Sequence, residues 1–139
     1  MGMNKNMCCG ESWMPAALLA LRLAVGVVFA VHGWAKLGDV DAFAGMLSTG
    51  GWPLATFFAW VVAIVEFVGG LMLIVGIYAR LAAKLLAIIM IVALLFVHTK
   101  LPWATAELPL VLLGGSLAIM AMGGGKWRLM KTECACEKM

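Results

Sequence analysis

Six ionisable residues, Arg22, His32, Lys36, Glu66, His98 and Glu107, lie inside or at the ends of long apolar runs. An imidazole beside a carboxylate can pass a proton near neutral pH. His32, Glu66 and His98 are therefore a candidate set for proton transfer. A carboxylate beside a lysine or arginine can instead be a plain ion pair. A charge at the centre of a membrane helix costs about 2.5–3.5 kcal/mol, so each of these groups needs a partner or a task.

Spacing groups them further. His32 and Lys36 stand at i and i+4 and share one face of a helix. Arg22 falls within about 40° of Lys36 on the helical wheel, so one stripe carries all three and should face other helices. Measured from the ends of their apolar runs, Arg22 and Glu66 differ in depth by about one turn. A buried Arg22–Glu66 pair is then the simplest way to neutralise both. His32, Lys36, His98 and Glu107 gather at the opposite end, where they could line an outward-opening polar vestibule with Glu66 beneath. Simpler roles stay open: His98 and Glu107 as interfacial loop residues, His32 as a hydrogen-bonded packing residue, Glu66 as a structural ion-pair partner.

Four cysteines stand at the extremes of the chain, Cys8 and Cys9 near the start and Cys134 and Cys136 near the end. They could be thiols with no shared task, thiolates that gather a soft metal ion, or a redox pair that reduces a partner. Their spacing is not the C-x2–4-C of structural zinc sites. Adjacent and once-spaced cysteines close strained rings, which favours labile over structural disulfides.

The elements that must hold these side chains follow from composition. Of 139 residues, 65% are hydrophobic and 12% charged, against about 45–50% and about 25% in soluble domains. A chain this short cannot hide that much apolar surface from water, and its natural solvent is a bilayer. Net charge is +3, with the basic residues mostly outside the apolar runs, which suits lipid headgroups. There is no basic stripe or motif for nucleic acid. Four runs, at about 15–37, 53–77, 81–97 and 104–122, approach or exceed the length that crosses hydrocarbon. Trp13, Trp34, Trp52, Tyr78, Trp103 and Trp127 bracket three of them, as interfacial belts do. A cleaved signal peptide is the rival reading of the N-terminal end, against which stand the length of the apolar run and the lack of a clear small-x-small cleavage site after it.

Short connections make successive spans antiparallel, which predicts an all-α, up-down-up-down bundle over residues 15–123. The 38–52 segment reads as a loop. Gly69, Gly70, Gly76, Gly114 and Gly115 read as helix-packing positions. Lys5, Arg80, Lys84, Lys126, Arg128, Lys131 and Lys138 share one side, against Lys36 and Lys100 on the other. The positive-inside rule then puts both termini, as tails 1–14 and 124–139, in the cytoplasm.

The stretches "LRLAVGVVFAVHGWAKL", "AIVEFVGGLMLIVGIYARLAAKLLAIIMIVALLFVH" and "AELPLVLLGGSLAIMAMGGGKW" together resemble the DoxX family of small bacterial and archaeal membrane proteins. The likeness runs over residues 16 to 127. It rests on the order of Arg22, Gly26, Phe29, His32–Gly33, Lys36–Leu37, Glu66, Gly69–Gly70, Gly76, Arg80, His98 and Glu107. The resemblance implies a four-span bundle in the cytoplasmic membrane, associated with quinone-linked redox systems. The chain departs from the family's usual ending, since "KWRLMK" and a cysteine-bearing tail follow the glycine turn.

No Gly-rich nucleotide loop, haem or iron–sulfur spacing or nucleophile elbow is present. The expectation is a membrane subunit of a redox assembly with no catalysis of its own. It would be surrounded by lipid and would dock a soluble redox partner or offer a quinone-sized cleft; self-association stays open. Two alternatives remain. One is a soft-metal handling or transport protein using the cysteine tails. The other is a quinone- or lipid-directed oxidoreductase.

Overall fold

The computed structural model describes residues 13–96 and 103–123, and every regular element among them is helical. Helix α1, Met14–Gly38, starts with a proline in its first turn, where the missing N–H leaves no bond unmade. It ends at Asp39, whose non-helical backbone (φ −145°, ψ 67°) breaks the helix and whose side chain accepts a 3.1 Å hydrogen bond from Ala42 N–H. That bond caps α2, Val40–Thr49. Helix α3, Ala55–Val75, stops at Gly76 in the left-handed region (φ 80°). There the Gly76 and Ile77 N–H groups both return to Met72 O. After a tight turn through Tyr78 come α4, Ala79–Phe96, a 3-10 turn at Trp103–Thr105 and α5, Glu107–Met122. Pro109 falls in the first turn of α5, where no intrahelical donor is lost.

The expected loop at 38–52 is therefore mostly the helix α2. Its signal was present in the sequence: Asp39 can cap, and Val40, Ala44 and Leu47 recur at helical spacing and are the buried residues of this helix. They pack with Ala59, Phe43, Trp52 and Phe58 as a small satellite core. The fourth apolar run also starts late, because Trp103–Thr105 forms the 3-10 turn and the α-helix begins at Glu107.

Helix α1 packs on α3, α3 on α4, α4 on α5, and α5 back on α1, while α2 lies against α3. The core between them is built of Val25, Phe29, Leu73, Leu86, Met90 and Ile119, interleaved with alanines. Polarity is inverted relative to a soluble bundle. Val31, Phe57, Ile88 and Val111 are 61%, 62%, 57% and 71% exposed, whereas Arg22 and Glu66 are buried. Helices α1, α3 and α4 are long and apolar enough to cross a membrane, and α5 is a shorter apolar helix. This is a membrane protein, with lipid as the solvent of its outer face.

The register between α1 and α3 sets everything that follows. A Cβ on Gly33 would collide with the backbone of Phe67, and one on Gly70 would lie 2.5 Å from Ala30 N and 2.7 Å from Gly26 O. Backbone meets backbone along this seam, the small-residue contact by which helices associate where no hydrophobic force separates them from lipid.

Candidate functional site

That register carries Lys36 on α1 to Glu66 on α3. Lys36 Nζ donates to both carboxylate oxygens at 2.6 Å. The Glu66 side chain is 1% exposed and that of Lys36 is 27% exposed, so the carboxylate is sealed while the ammonium keeps an open side. Two features hold the lysine in place. Its stem leaves α1 two residues before the helix ends, and its Nζ lies 4.8 Å from the ring centroid of Phe43 on α2, within range of a cation–π contact.

The open side of Lys36 faces a cavity of about 460 Å³. Phe29 and His32 of α1 line it beside the ion pair, Phe43 and Leu47 of α2 lie over it, and Ile89 of α4 and Leu112 of α5 face them. Trp52 closes one edge, its ring 5.3 Å from Phe58 and 5.4 Å from Phe96, both edge-on. Among the described residues, its ionisable lining is His32, Lys36 and Glu66. The ion pair leaves the site electrically neutral, while Lys36 still offers a donor to a ligand oxygen. Such a chamber, apolar with one polar end, suits a ring-bearing or amphipathic molecule of low charge.

The other expected site residues are placed as follows. Arg22 is buried, but its guanidinium lies over Gly76, where a Cβ would sit 2.9 Å from an Arg22 terminal nitrogen. Glu66 is ten residues earlier on α3, about 15 Å along the axis. The carboxylate thus takes Lys36 and not the expected Arg22. Depth counted from the ends of apolar runs assumes that helix ends are flush, whereas the glycine seam shifts α1 along α3. Arg22 instead faces the last turn of α3, the negative end of its dipole. Arg80 is placed similarly, with its side chain against Gly123, which ends α5. Glu107 is exposed in the first turn of α5 and does not line the cavity. A carboxylate there complements the helix dipole. His98, Cys8, Cys9, Cys134 and Cys136 lie outside the described residues. Among the described residues no group of three or more His, Cys, Asp or Glu is arranged to hold a metal ion.

Sequence reasoning did not assign the aromatic wall, Phe43, Trp52 and Phe58, to the site. Phe43 comes from α2, Trp52 from the segment leading into α3 and Phe58 from the first turn of α3, and a four-span scheme leaves the first two in a loop that it does not bring over Lys36. Gly26 and Gly33 were visible only as parts of a family pattern, although Gly26, Ala30 and Gly33 line one helical face.

Comparison with known proteins agrees with this architecture. The DoxX family profile matches residues 17–99. A Bacillus subtilis (strain 168) protein named "Putative oxidoreductase CatD" is 31% identical over 106 residues, covering 76% of this chain and 78% of the relative. "Uncharacterized membrane protein Rv3486" of Mycobacterium tuberculosis is 33% identical over 143 residues, covering 88% of this chain and 86% of its own length. No solved structure matches the chain. The extent of the family match, together with these relatives, shows that the protein belongs to the DoxX family.

Proposed function

We propose that this DoxX-family protein is the membrane component of a redox assembly, with no catalysis of its own. It holds a lipid-soluble, quinone-type carrier in the cavity beside Lys36 and Glu66, within reach of a soluble redox partner. The observation that carries this reading is the chamber itself: apolar and aromatic walls that end on one neutralised charge pair whose lysine is open to the interior. A quinone ring fills apolar space and presents carbonyl oxygens that accept from an ammonium. The oxidoreductase designation of the Bacillus subtilis relative supports the redox setting of this reading.

In this arrangement α5 is the fourth crossing. The 3-10 turn at Trp103–Thr105, with its steeper rise, extends the reach of the 16-residue helix towards the thickness of the hydrocarbon core. Both termini face the cytoplasm, where anionic lipid and the positive-inside rule favour Arg80 and Lys84 at the start of α4. Lys36 is held in an internal pair, which leaves the opposite side poorer still in free positive charge.

The test uses the full chain in lipid nanodiscs. An alkyl-tailed benzoquinone should bind saturably, and Lys36→Met combined with Glu66→Leu should abolish that binding while the protein still assembles. Saturable binding that is unchanged in the double variant would remove the site from the reading.

A further inference from the structure

The cavity lies in the half of the molecule covered by α2, so a ligand needs a way in that does not cross that cover. Helices α1 and α5 are antiparallel and meet closely at one level, where a Cβ on Gly115 would lie 2.7 Å from Val25 Cγ2. Seven residues further along α1 and seven back along α5, about 10 Å from that contact, antiparallel register brings His32 to the level of Leu108. Between the two levels Phe29 and Leu112 are buried and line the cavity. At the outer level His32 and Leu108 line the same cavity and are also exposed, Leu108 at 45%. A residue that both lines a chamber and meets the surroundings marks an opening. Met46 of α2 and Thr105 ahead of α5 share that double position towards the α2 cover and the start of α5, and Val61 and Ile88 share it between α3 and α4, where Trp52 bridges Phe58 and Phe96 across the outer end.

We infer that the cavity is loaded from the bilayer, sideways through the seam between α1 and α5, with His32 and Leu108 as the lips of the portal. The cargo this route admits is an uncharged lipophile with a ring and an acceptor oxygen. The Lys36–Glu66 pair leaves the end of the path neutral, so a ligand with a fixed charge finds no unmatched counter-charge there to offset the water it must shed. His32 accounts for its own position here: an imidazole on a lipid-facing lip can exchange hydrogen bonds with a passing carbonyl or hydroxyl before Lys36 receives it. This inference rests on the ligand chamber proposed above.

The experiment staples the seam in the full chain, with Cys8, Cys9, Cys134 and Cys136 replaced by serine. His32→Cys with Leu108→Cys is closed by a short bismaleimide in nanodiscs. Val61→Cys with Ile88→Cys is the control seam. Uptake and release of an alkyl-tailed benzoquinone are followed by quenching of tryptophan fluorescence, since Trp52 lines the cavity. Closing the α1–α5 seam should slow both rates roughly tenfold or more at an unchanged equilibrium constant, because a gate alters the path and not the end states. Each rate is read against the same cysteine variant before its staple is closed, and closing the control seam should leave those rates as they were. Unchanged rates after the α1–α5 staple, or slowing only at the α3–α4 seam, would overturn the portal while leaving the chamber in place. Absence of binding in the unstapled protein would overturn the chamber and the portal together.

Discussion

Lys36 bonds both carboxylate oxygens of Glu66 at 2.6 Å, but the two residues are not equally buried: the lysine side chain is 27% exposed and the glutamate 1%. Loss of either partner therefore has different consequences. Lys36→Met strands a sealed carboxylate and should destabilise the protein by about 3–5 kcal/mol. Glu66→Gln leaves a lysine with an open side that can turn towards the cavity, so its cost should be smaller. Replacing both with Met and Leu should restore most of the stability and none of the ligand binding. Thermal unfolding in a mild detergent, measured on all three variants, checks the order. A double variant as unstable as Lys36→Met would contradict the electrostatic account.

The glycine seam predicts a contrast between positions that look alike in sequence. Gly33→Leu drives a side chain into the Phe67 backbone, which cannot move aside as a side-chain tip can, and should prevent α1 and α3 from docking. Gly114→Ala meets nothing within 4 Å and should raise helix stability by about 0.5–1 kcal/mol. Protease resistance in detergent will separate the two outcomes.

Asp39 holds α2 over the chamber by capping it. Asp39→Ala should cost about 1 kcal/mol, within the range for lost N-caps. The loss should be local, appearing as faster amide hydrogen exchange in Val40–Thr49 with little change in α3. Unchanged exchange in Val40–Thr49 would show that α2 is held by packing alone.

Ser116 is fully buried, and its hydroxyl has no hydrogen-bond partner among the described residues. A buried unsatisfied hydroxyl costs about 1–3 kcal/mol, and alanine fits the space without it. Ser116→Ala should therefore raise the unfolding temperature. A drop would mean that the hydroxyl has a role the fold alone does not reveal.

The membrane helices were legible in the sequence because hydrophobicity and length are one-dimensional properties. The importance of Glu66 was equally legible, since a carboxylate inside an apolar run is expensive wherever it points. Its partner was not. Arg22 and Lys36 lie on nearly the same stripe of α1, so the wheel could not choose between them; the choice is made by axial register, which depends on Gly26, Gly33 and Gly70 meeting a second helix. The aromatic wall was hidden for a related reason. A ten-residue helix inside an apparent loop gives a weak signal, and Asp39 was read as a charge for topology rather than as a cap.

The backbone contact between α1 and α3 also divides the molecule by stiffness. Two helices locked through glycines move as one piece, so the lysine and glutamate keep their geometry whatever occupies the space beside them. On the function proposed above, room for a bulkier guest would come from the walls outside that pair, α2, α4 and α5. The charged end of the chamber would then keep its shape while the apolar walls yield to a longer tail.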